Sequence, residues 1–202
     1  MKIAILGATG QAGSRLVAEA LRRGHQVTAV SRKADPAADT AQLIHLAADI
    51  HDPALASQLR GHDVIISSIH FTQAKPETLF KLVRDTGVKR YLVVGGAGSL
   101  EIAPGTLLIE SPDFPAIYLE EASSGKAFLD ALRHVADLDW TFLSPSALFV
   151  DGERTGKFRL GKDSLLVDAD GKSWISFEDY AVAMLDEIEH PAHVRQRFVV
   201  GY

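Results

Sequence analysis

Short apolar runs alternate with amphipathic segments along most of the chain. The first run, residues 3–6, has the length of a strand, and residues 14–23 carry apolar side chains at helical spacing on one face. Gly24 stands where a helix commonly ends, and residues 25–30 have the β-branched content typical of a strand. The beginning of the chain therefore predicts a strand, a glycine-rich turn, a helix and a second strand.

The same alternation continues through the middle of the chain. Further apolar runs predict strands at residues 43–46, 63–69, 91–94 and 139–143. Helical spacing predicts helices at residues 53–60, 76–87 and 118–134. Residues 34–40 are expected to be a loop or a weak helix, and residues 101–114 to be irregular. This alternation predicts an α/β fold with a doubly wound parallel sheet, the Rossmann fold, whose ligands bind outside the carboxyl ends of the strands.

The last third of the chain has a different pattern. Asp170-Gly171 is a strong hairpin signal. Ser176 and Asp179 resemble a capping box, with Asp in place of Glu or Gln, and predict a helix over residues 177–189. Short strand-like runs occur at residues 158–160, 164–167 and 197–200.

The glycine turn between the first strand and the first helix is suited to an anion. A helix N-terminus has unpaired N–H groups and a partial positive charge, and glycines let a diphosphate approach the backbone closely. The spacing G-x-x-G-x-x-G departs from the G-x-G-x-x-G of many dehydrogenases, but its position after a strand and before a helix is that of a dinucleotide-binding turn. An ordinary tight turn is the alternative. The predicted diphosphate-binding residues are Gly7, Ala8, Thr9, Gly10, Gln11, Ala12 and Gly13.

The end of the second strand indicates which dinucleotide is preferred. An NAD site usually has Asp or Glu about 20 residues past the glycine turn, to bind the ribose 2′-hydroxyl. Here that place is occupied by Ser31, Arg32 and Lys33, without an acid. A guanidinium binds a 2′-phosphate in a bidentate pair, so we predict NADP as the cofactor, with NADPH preferred over NADH. A solvated basic strand end is the alternative.

The bulk composition narrows the class of protein. At 202 residues the chain suits one domain, and we expect residues 150–176 to form a small lobe on the substrate side. The formal net charge of −5 argues against a general nucleic-acid or membrane-surface binder. The absence of cysteine excludes disulfides and thiolate chemistry, and the eight histidines are scattered, so we expect no metal site.

The chain also gives an expectation about location. Lys2 followed by apolar residues resembles the start of a signal peptide, but glycines and Arg15 interrupt the run. No apolar run approaches the ~18 residues of a membrane span. We therefore expect a cytoplasmic monomer or homodimer whose partner is a small molecule.

Five motifs together carry a family resemblance. They are Gly7-Ala8-Thr9-Gly10 with Gly13, Val94-Gly95-Gly96-Ala97-Gly98-Ser99-Leu100, Asp139-Trp140-Thr141-Phe142-Leu143-Ser144-Pro145, Gly152-Glu153-Arg154-Thr155-Gly156 and Ile175-Ser176-Phe177-Glu178-Asp179-Tyr180-Ala181. The first is shared by very many enzymes, and the others are narrower. Over essentially its whole length the chain resembles the atypical short-chain dehydrogenase/reductase group of NAD(P)-binding proteins, and within it the NADH-flavin reductases.

The resemblance implies further coenzyme contacts. Asp49 matches the acid that meets the adenine amino group, and Ile50 flanks the ring. Ser67, Ser68 and Ile69 match the strand end that runs along the ribose. A turn-forming acid, and hydroxyl groups satisfied at a strand end, are the alternative interpretations.

Two further strand ends are expected at the same site. Gly95 and Gly96 follow the fifth strand and would border the coenzyme. By resemblance, Pro145 and Ser146 shape the nicotinamide side, with Ser146 facing the substrate.

One departure from the family pattern affects the chemistry. Typical members carry Tyr-x-x-x-Lys on the helix after the fifth strand, where the Lys helps the Tyr to donate a proton to a carbonyl. Tyr118 is followed at that spacing by Ala122, and Lys126 lies about two helical turns away. Alcohol–ketone chemistry is therefore disfavoured, although Tyr118 stays a candidate catalytic residue. Reduction of a flavin needs no such relay, because solvent supplies the proton.

The remaining candidates concern the acceptor. Ser99 is expected to lie nearest the transferred hydride, with a turn serine as the alternative. His70 and Phe71 would wall the acceptor pocket or cap the core. The leading function is an NADPH-dependent reductase of FMN, FAD, a quinone or another planar acceptor. A dinucleotide-binding redox sensor without turnover is the alternative, and an isomerase or epimerase is disfavoured by the missing Tyr–Lys pair.

Overall fold

A mostly parallel sheet covered on both faces by helices forms the centre of the structure, a computed structural model that describes residues 1–202. The strands are β1 (Lys2–Leu6), β2 (Gln26–Ser31), β3 (Leu43–Ala47), β4 (Val64–Ser67), β5 (Arg90–Val94), β6 (Glu101–Ala103), β7 (Thr106–Leu107), β8 (Asp139–Pro145), β9 (Leu148–Val150), β10 (Arg159–Gly161), β11 (Trp174–Ser176) and β12 (Gln196–Gly201). The α-helices are α1 (Gln11–Arg22), α2 (Leu55–Gln58), α3 (Pro76–Thr86), α4 (Leu119–Leu132) and α5 (Phe177–Glu189).

The main sheet has eight strands in the order β10-β12-β8-β5-β4-β1-β2-β3. Every neighbouring pair is parallel except β10 with β12. The chain runs outward from β1 to β2 and β3, and then returns to place β4 on the other side of β1. This confirms the predicted doubly wound sheet and puts a crevice at the carboxyl ends of β1 and β4.

The core consists of two apolar layers, one on each face of the sheet. Ile65 and Ile66 are consecutive in β4, and they belong to different layers. Leu16 of α1 and Tyr180 of α5 pack in one layer, and Phe128 of α4 packs in the other. A strand covered on both faces needs apolar side chains at every position, which explains the continuous apolar run of β4.

Several predicted elements are shifted by one or two residues, and two helices differ more from their predicted bounds. α1 begins at Gln11 instead of residue 14, because Gly10 is its N-cap and the last glycine of the turn lies within the first helical turn. The helix predicted at residues 53–60 is reduced to α2, because residues 53–54 and 59–61 form turns. Apolar periodicity missed both boundaries because they depend on backbone turns.

The strand predicted at residues 164–167 does not form. Instead, the Leu165 amide donates to the Glu101 carbonyl and the Glu101 amide donates to the Asp163 carbonyl, each at 2.8 Å. This segment therefore joins the start of β6 through an isolated bridge. The region predicted to be irregular contains the short β6–β7 hairpin.

Residues 150–176 are divided between the main sheet and a small one. β10 joins the edge of the main sheet, and β11 pairs in parallel with β9. Gly171 has a φ of +80°, as the turn signal at Asp170-Gly171 predicts, although no regular strand pair flanks it. None of the helices has the length and apolar character needed to cross a membrane.

Candidate functional site

A cleft of about 480 Å³ lies at the carboxyl ends of β1, β2, β3 and β4. It occupies the crevice where the strand order reverses, which is the usual ligand position in a doubly wound sheet. Its walls come from the ends of these strands and the loops that follow them. The lining residues are Leu6, Gly7, Thr9, Gly10, Val30, Ser31, Arg32, Ala48, Asp49, Ile50, His51, Ser68, Ile69, His70 and Gln73.

The glycine turn is closely packed at two positions and open at a third. Gly7 has a φ of +81°, and a Cβ there would lie 2.3 Å from the carbonyl oxygen of Ser68. A Cβ on Gly13 would lie 2.2 Å from the carbonyl oxygen of Gly7, so neither position accepts a side chain. A Cβ on Gly10 would meet no neighbour nearer than 3.4 Å. Gly7 and Gly13 therefore shape the turn, and Gly10 keeps the backbone accessible from the cleft.

The first turn of α1 presents unused backbone donors beside this loop. Gly10 is the N-cap, no side chain caps the helix, and no acid stands in the first turn. Gln11 uses its amide oxygen to accept from Arg15 Nη1 at 3.2 Å, and the side chain of Ala12 is buried. The predicted contacts of both residues therefore involve the backbone. An open turn at an uncapped helix N-terminus fits a diphosphate, and its binding stays a prediction.

Arg32 lies at the cleft wall with its guanidinium uncommitted. Ser31 Oγ donates to the Lys33 carbonyl at 2.9 Å and closes the turn that contains Arg32. No hydrogen bond or ion pair within the protein involves the Arg32 guanidinium, and its side chain lines the cleft. Lys33 is exposed and stands outside the lining. The predicted 2′-phosphate contact thus has a free cation at the expected place.

Asp49 and Ile50 lie at the end of β3, where the resemblance implies adenine contacts. Asp49 Oδ1 accepts from the His51 amide at 2.9 Å, which leaves the other carboxylate oxygen unused. Ile50 is half-buried and packs against the core. Both predicted residues line the cleft, and an oxygen free to accept an amino group is present there.

The residues after β4 are divided between the cleft and the core. Ser68 and Ile69 line the cleft, whereas Ser67 is buried and lies outside its lining. Ser67 is the last residue of β4 and its side chain is buried, whereas Ser68 and Ile69 follow the strand, so the predicted triplet does not face one ligand together. Of this triplet, the structure brings Ser68 and Ile69 to the site.

His70 and Phe71 are likewise separated. His70 is exposed and lines the cleft, with Nδ1 3.3 Å from Glu121 Oε1. The Phe71 ring lies 5.2 Å from that of Phe128 and 5.9 Å from that of Phe142, between ring centroids, within the core. Phe71 therefore takes the core-capping alternative, and His70 stands at the cleft wall.

The ends of β5 and β8 form a more closed surface. A Cβ on Gly95 would lie 2.4 Å from the Phe142 ring, whereas a Cβ on Gly96 would have only Phe71, at 3.9 Å, within 4 Å. Pro145 is buried at the end of β8. Gly95 is thus required by packing, and Gly96 is the accessible position of this pair.

The three hydroxyl residues predicted for chemistry also lie outside the cleft lining. Ser99 is 9% exposed, and its Oγ lies 3.4 Å from Arg197 Nη1. Ser146 is 1% exposed, and its Oγ donates to the Val200 carbonyl at 3.1 Å. Tyr118 is 62% exposed at the end of the 3₁₀ turn Ala116–Tyr118. Each serine hydroxyl thus has an internal partner.

Two of the narrow motifs, residues 152–156 and residues 175–181, bond to each other in the structure. The sequence did not reveal this pairing. Glu178 accepts from the Gly152 amide at 3.0 Å, and the buried Asp179 accepts from Thr155 Oγ1 at 2.5 Å and from the Gly156 amide at 2.7 Å. The motifs stood out in the sequence, but their pairing across more than 20 residues left no local signal.

A second contact ties the same segment to α1. Arg154 donates to Glu19 through Nε at 2.7 Å and through Nη2 at 2.8 Å. Burial alone would raise the pKa of Glu19, but hydrogen bonds from Arg154 and Arg23 lower it below its ordinary value. The Gly152–Gly156 motif is therefore anchored on the helix that follows the glycine turn.

Comparison with known proteins gives a family. A family model described as NAD(P)H-binding matches residues 7–191. This range includes the glycine turn, the Arg32 loop and both of the mutually paired motifs.

Three solved structures are similar over the whole chain. A "putative exported protein" from Burkholderia pseudomallei is 47% identical, with all of both chains covered and a TM-score of 0.90. A "putative epimerase" from Bacteroides thetaiotaomicron is 41% identical, covering 100% of this chain and 96% of that one, with a TM-score of 0.93. A "putative NADH-flavin reductase" from Streptococcus pneumoniae is 35% identical, covering 100% and 99%, with a TM-score of 0.85.

Proposed function

The chain belongs to the NAD(P)H-binding family, and from this premise we propose that it is an NADPH-dependent reductase of a planar acceptor such as a flavin or a quinone. The observation that carries the proposal is the uncommitted Arg32 guanidinium beside an uncapped helix N-terminus in one cleft. These two features are suited to the two charged parts of NADPH, its 2′-phosphate and its diphosphate.

The preference for NADPH rests on the charge beside the ribose. A charge-assisted hydrogen bond contributes about 1.5–3 kcal/mol. This corresponds to roughly a tenfold to 100-fold preference for the phosphorylated coenzyme. An acid at the same place would repel the phosphate, and the turn Ser31–Lys33 has none.

The remaining cleft residues would hold the rest of the coenzyme. Asp49 would accept from the adenine amino group through its unused oxygen, and Ser68 and Ile69 would border the ribose. Gly96 and Pro145 would then limit the space for the nicotinamide at the ends of β5 and β8. Bound NADPH supplies a hydride from C4 of its nicotinamide ring, and the protein orients the two reacting rings.

The proposed class of acceptor follows from the absence of a Tyr–Lys pair at the spacing of the family. Lys126 is paired with Asp130 at 2.8 Å, and it does not follow Tyr118 at the spacing that a Tyr–Lys relay needs. Chemistry at an alcohol or in epimerisation depends on such a proton relay, whereas hydride transfer to a flavin or quinone does not. The Streptococcus relative named as an NADH-flavin reductase supports the same class.

A redox sensor that binds the dinucleotide without turnover is the second candidate. The observation that favours it is the internal use of the Ser99 and Ser146 hydroxyls, which leaves neither turned to the cleft.

One assay separates the two candidates. NADPH oxidation is followed by its near-UV absorbance with and without FMN, riboflavin and menadione. We expect acceptor-dependent oxidation that is faster with NADPH than with NADH. Tight NADPH binding without oxidation by any acceptor would establish the sensor instead.

Location and the role of residues 150–176 complete the proposal. We assign residues 150–176 to the acceptor side.

We place the protein in the cytoplasm. Because the Burkholderia relative is named as exported, cell fractionation is the direct test of this location. Detection of the protein outside the cytoplasmic fraction would refute it.

A further inference from the structure

A carboxylate at the start of α4 is fixed against the loop that follows β4. Glu121 Oε1 accepts from the Phe71 amide at 2.8 Å, and Oε2 accepts from the Thr72 amide at 3.1 Å and from Thr72 Oγ1 at 2.8 Å. Three hydrogen bonds from one loop leave this side chain little rotational freedom. Glu121 thus provides a negative charge at a defined position beside the cleft.

His70 connects this carboxylate to the cleft. Its Nδ1 lies 3.3 Å from Glu121 Oε1, and its side chain is 74% exposed and lines the cleft. A histidine that donates through Nδ1 to a carboxylate presents Nε2 on the opposite side of the ring. The pair therefore offers one imidazole nitrogen that is oriented by protein and open to a ligand.

Reduction of a planar acceptor takes up a proton as well as a hydride, and a positioned acid delivers that proton faster than solvent does. Resting on the proposed function, we propose that His70 is the proton donor to the acceptor and that Glu121 is its positioning residue. Bound NADPH would give up the hydrogen at C4 of its nicotinamide together with the electron pair of the C4–H bond, and that hydride would form the new bond to the acceptor. The Nε2–H bond of the imidazolium breaks, and the proton goes to a nitrogen or oxygen of the acceptor. The products are NADP⁺, the two-electron-reduced acceptor and a neutral imidazole, which takes a proton from water.

The other histidine of the cleft is a weaker candidate. His51 lines the cleft at the end of β3, beside Asp49, and its imidazole has no carboxylate partner. By resemblance that end of the cleft belongs to adenine, far along the coenzyme from the reacting carbon. His70 follows β4, which lies next to β5 and its glycine loop.

The test uses steady-state kinetics and coenzyme binding together. In His70→Ala, we expect kcat with menadione to fall about tenfold to 100-fold. This loss is no larger than the smallest usual effect of removing a positioned acid, because water reaches this open site and can also donate the proton. The Kd for NADPH, measured by protein fluorescence, should stay within about twofold, because the imidazole acts on the acceptor. Added imidazole should restore part of kcat. His134→Ala, at an exposed histidine outside the cleft, is the matched control.

Glu121→Gln tests the positioning role. It keeps an oxygen for the loop amides but loses the charge, so we expect a smaller fall in kcat than in His70→Ala, with a similar Kd for NADPH. Circular dichroism checks that each variant is folded.

Three results would overturn the proposal. One is an unchanged kcat in His70→Ala, and another is a raised Kd for NADPH as its main effect. The third is a larger loss of kcat in His51→Ala than in His70→Ala. Absence of acceptor-dependent oxidation by the wild-type protein is a separate outcome, which removes the proposed function and this inference together.

Discussion

The two halves of the sheet's carboxyl edge differ in how their polar groups are used. At β1, β2 and β4, the Arg32 guanidinium and the first backbone N–H groups of α1 have no partners within the protein, and Gly10 is open to the cleft. At β5 and β8, Ser99 and Ser146 bond internally, and the Phe142 ring fills the space beside Gly95. The unused groups of the first half are available to a ligand, whereas the hydroxyls of Ser99 and Ser146 are already bonded and give little information about an acceptor.

The two halves also differ in charge. Residues 95–125, between β5 and the middle of α4, contain no Lys, Arg or His. The acids of this segment are Glu101, Glu110, Asp113, Glu120 and Glu121. Since the whole chain has 26 acids against 21 Lys and Arg, these five acids equal the entire net charge of −5. The segment that follows β5, where we propose that part of the acceptor site lies, is therefore locally negative.

The largest effect is expected from a substitution that disrupts the glycine turn itself. In Gly13→Ala, the new Cβ would lie 2.2 Å from the Gly7 carbonyl oxygen, so we expect a loss of about 3 kcal/mol or more of folding free energy together with loss of NADPH binding. Gly10→Ala, with φ of −71° and no contact below 3.4 Å, should cost less than about 1 kcal/mol while still weakening NADPH binding. Urea denaturation and NADPH titration measure both effects. Equal destabilisation by the two variants would contradict the division between packing and ligand-facing glycines.

The next effect concerns the cation of the coenzyme half. Arg32→Ala should raise the Kd for NADPH about tenfold to 100-fold and change the Kd for NADH little, because only NADPH carries the 2′-phosphate. Lys33→Ala, which removes the same charge from a side chain outside the cleft lining, is the matched control. Fluorescence titration with both coenzymes gives the four constants. Equal weakening of NADPH and NADH by Arg32→Ala would reject the assignment.

A smaller effect concerns the charge of the acceptor half. The acids of residues 95–125 should disfavour phosphate-bearing acceptors, so kcat/KM should be higher for riboflavin than for FMN. Asp113→Asn/Glu120→Gln should raise kcat/KM for FMN about threefold to tenfold at low ionic strength and leave riboflavin unchanged. The matched control is Asp85→Asn/Asp137→Asn, which removes two charges near the amino ends of the strands. The same gain in the control would show that only overall charge matters.

The smallest effect is expected at Ser99. Its weak contact with Arg197 predicts a loss of about 0.5–1 kcal/mol of stability in Ser99→Ala, with kcat changed less than about threefold. Thermal unfolding and NADPH oxidation measure the two quantities. A large fall in kcat at unchanged stability would restore Ser99 as the residue nearest the hydride.

Local rules made the strands and the cleft residues at β1, β2 and β4 predictable from the sequence. The strands β1 and β4 could be predicted because a strand buried on both faces is apolar at nearly every position. The glycine turn could be predicted because the lack of space for a Cβ at Gly7 and Gly13 is a property of one short stretch of backbone. The place of Arg32 at the cleft wall could be predicted because its spacing from the glycine turn is nearly fixed, and its contact with a 2′-phosphate stays a prediction.

Long-range packing made the other half unpredictable. Ser146 Oγ donates to the Val200 carbonyl, and the Phe71 ring packs against the rings of Phe128 and Phe142 in the core. Glu121 reaches a loop about 50 residues earlier in the chain. Such contacts depend on how distant elements pack, and no spacing in the sequence records them.

Calorimetric titration of the wild-type protein with NADPH and NADH, paired with melting curves, is the decisive test of coenzyme binding in the cleft. We expect binding heat with both coenzymes, a Kd about tenfold to 100-fold lower for NADPH, and stabilisation by about 2.7 kcal/mol at 100 times Kd. Neither heat nor a rise in melting temperature with either coenzyme would contradict it.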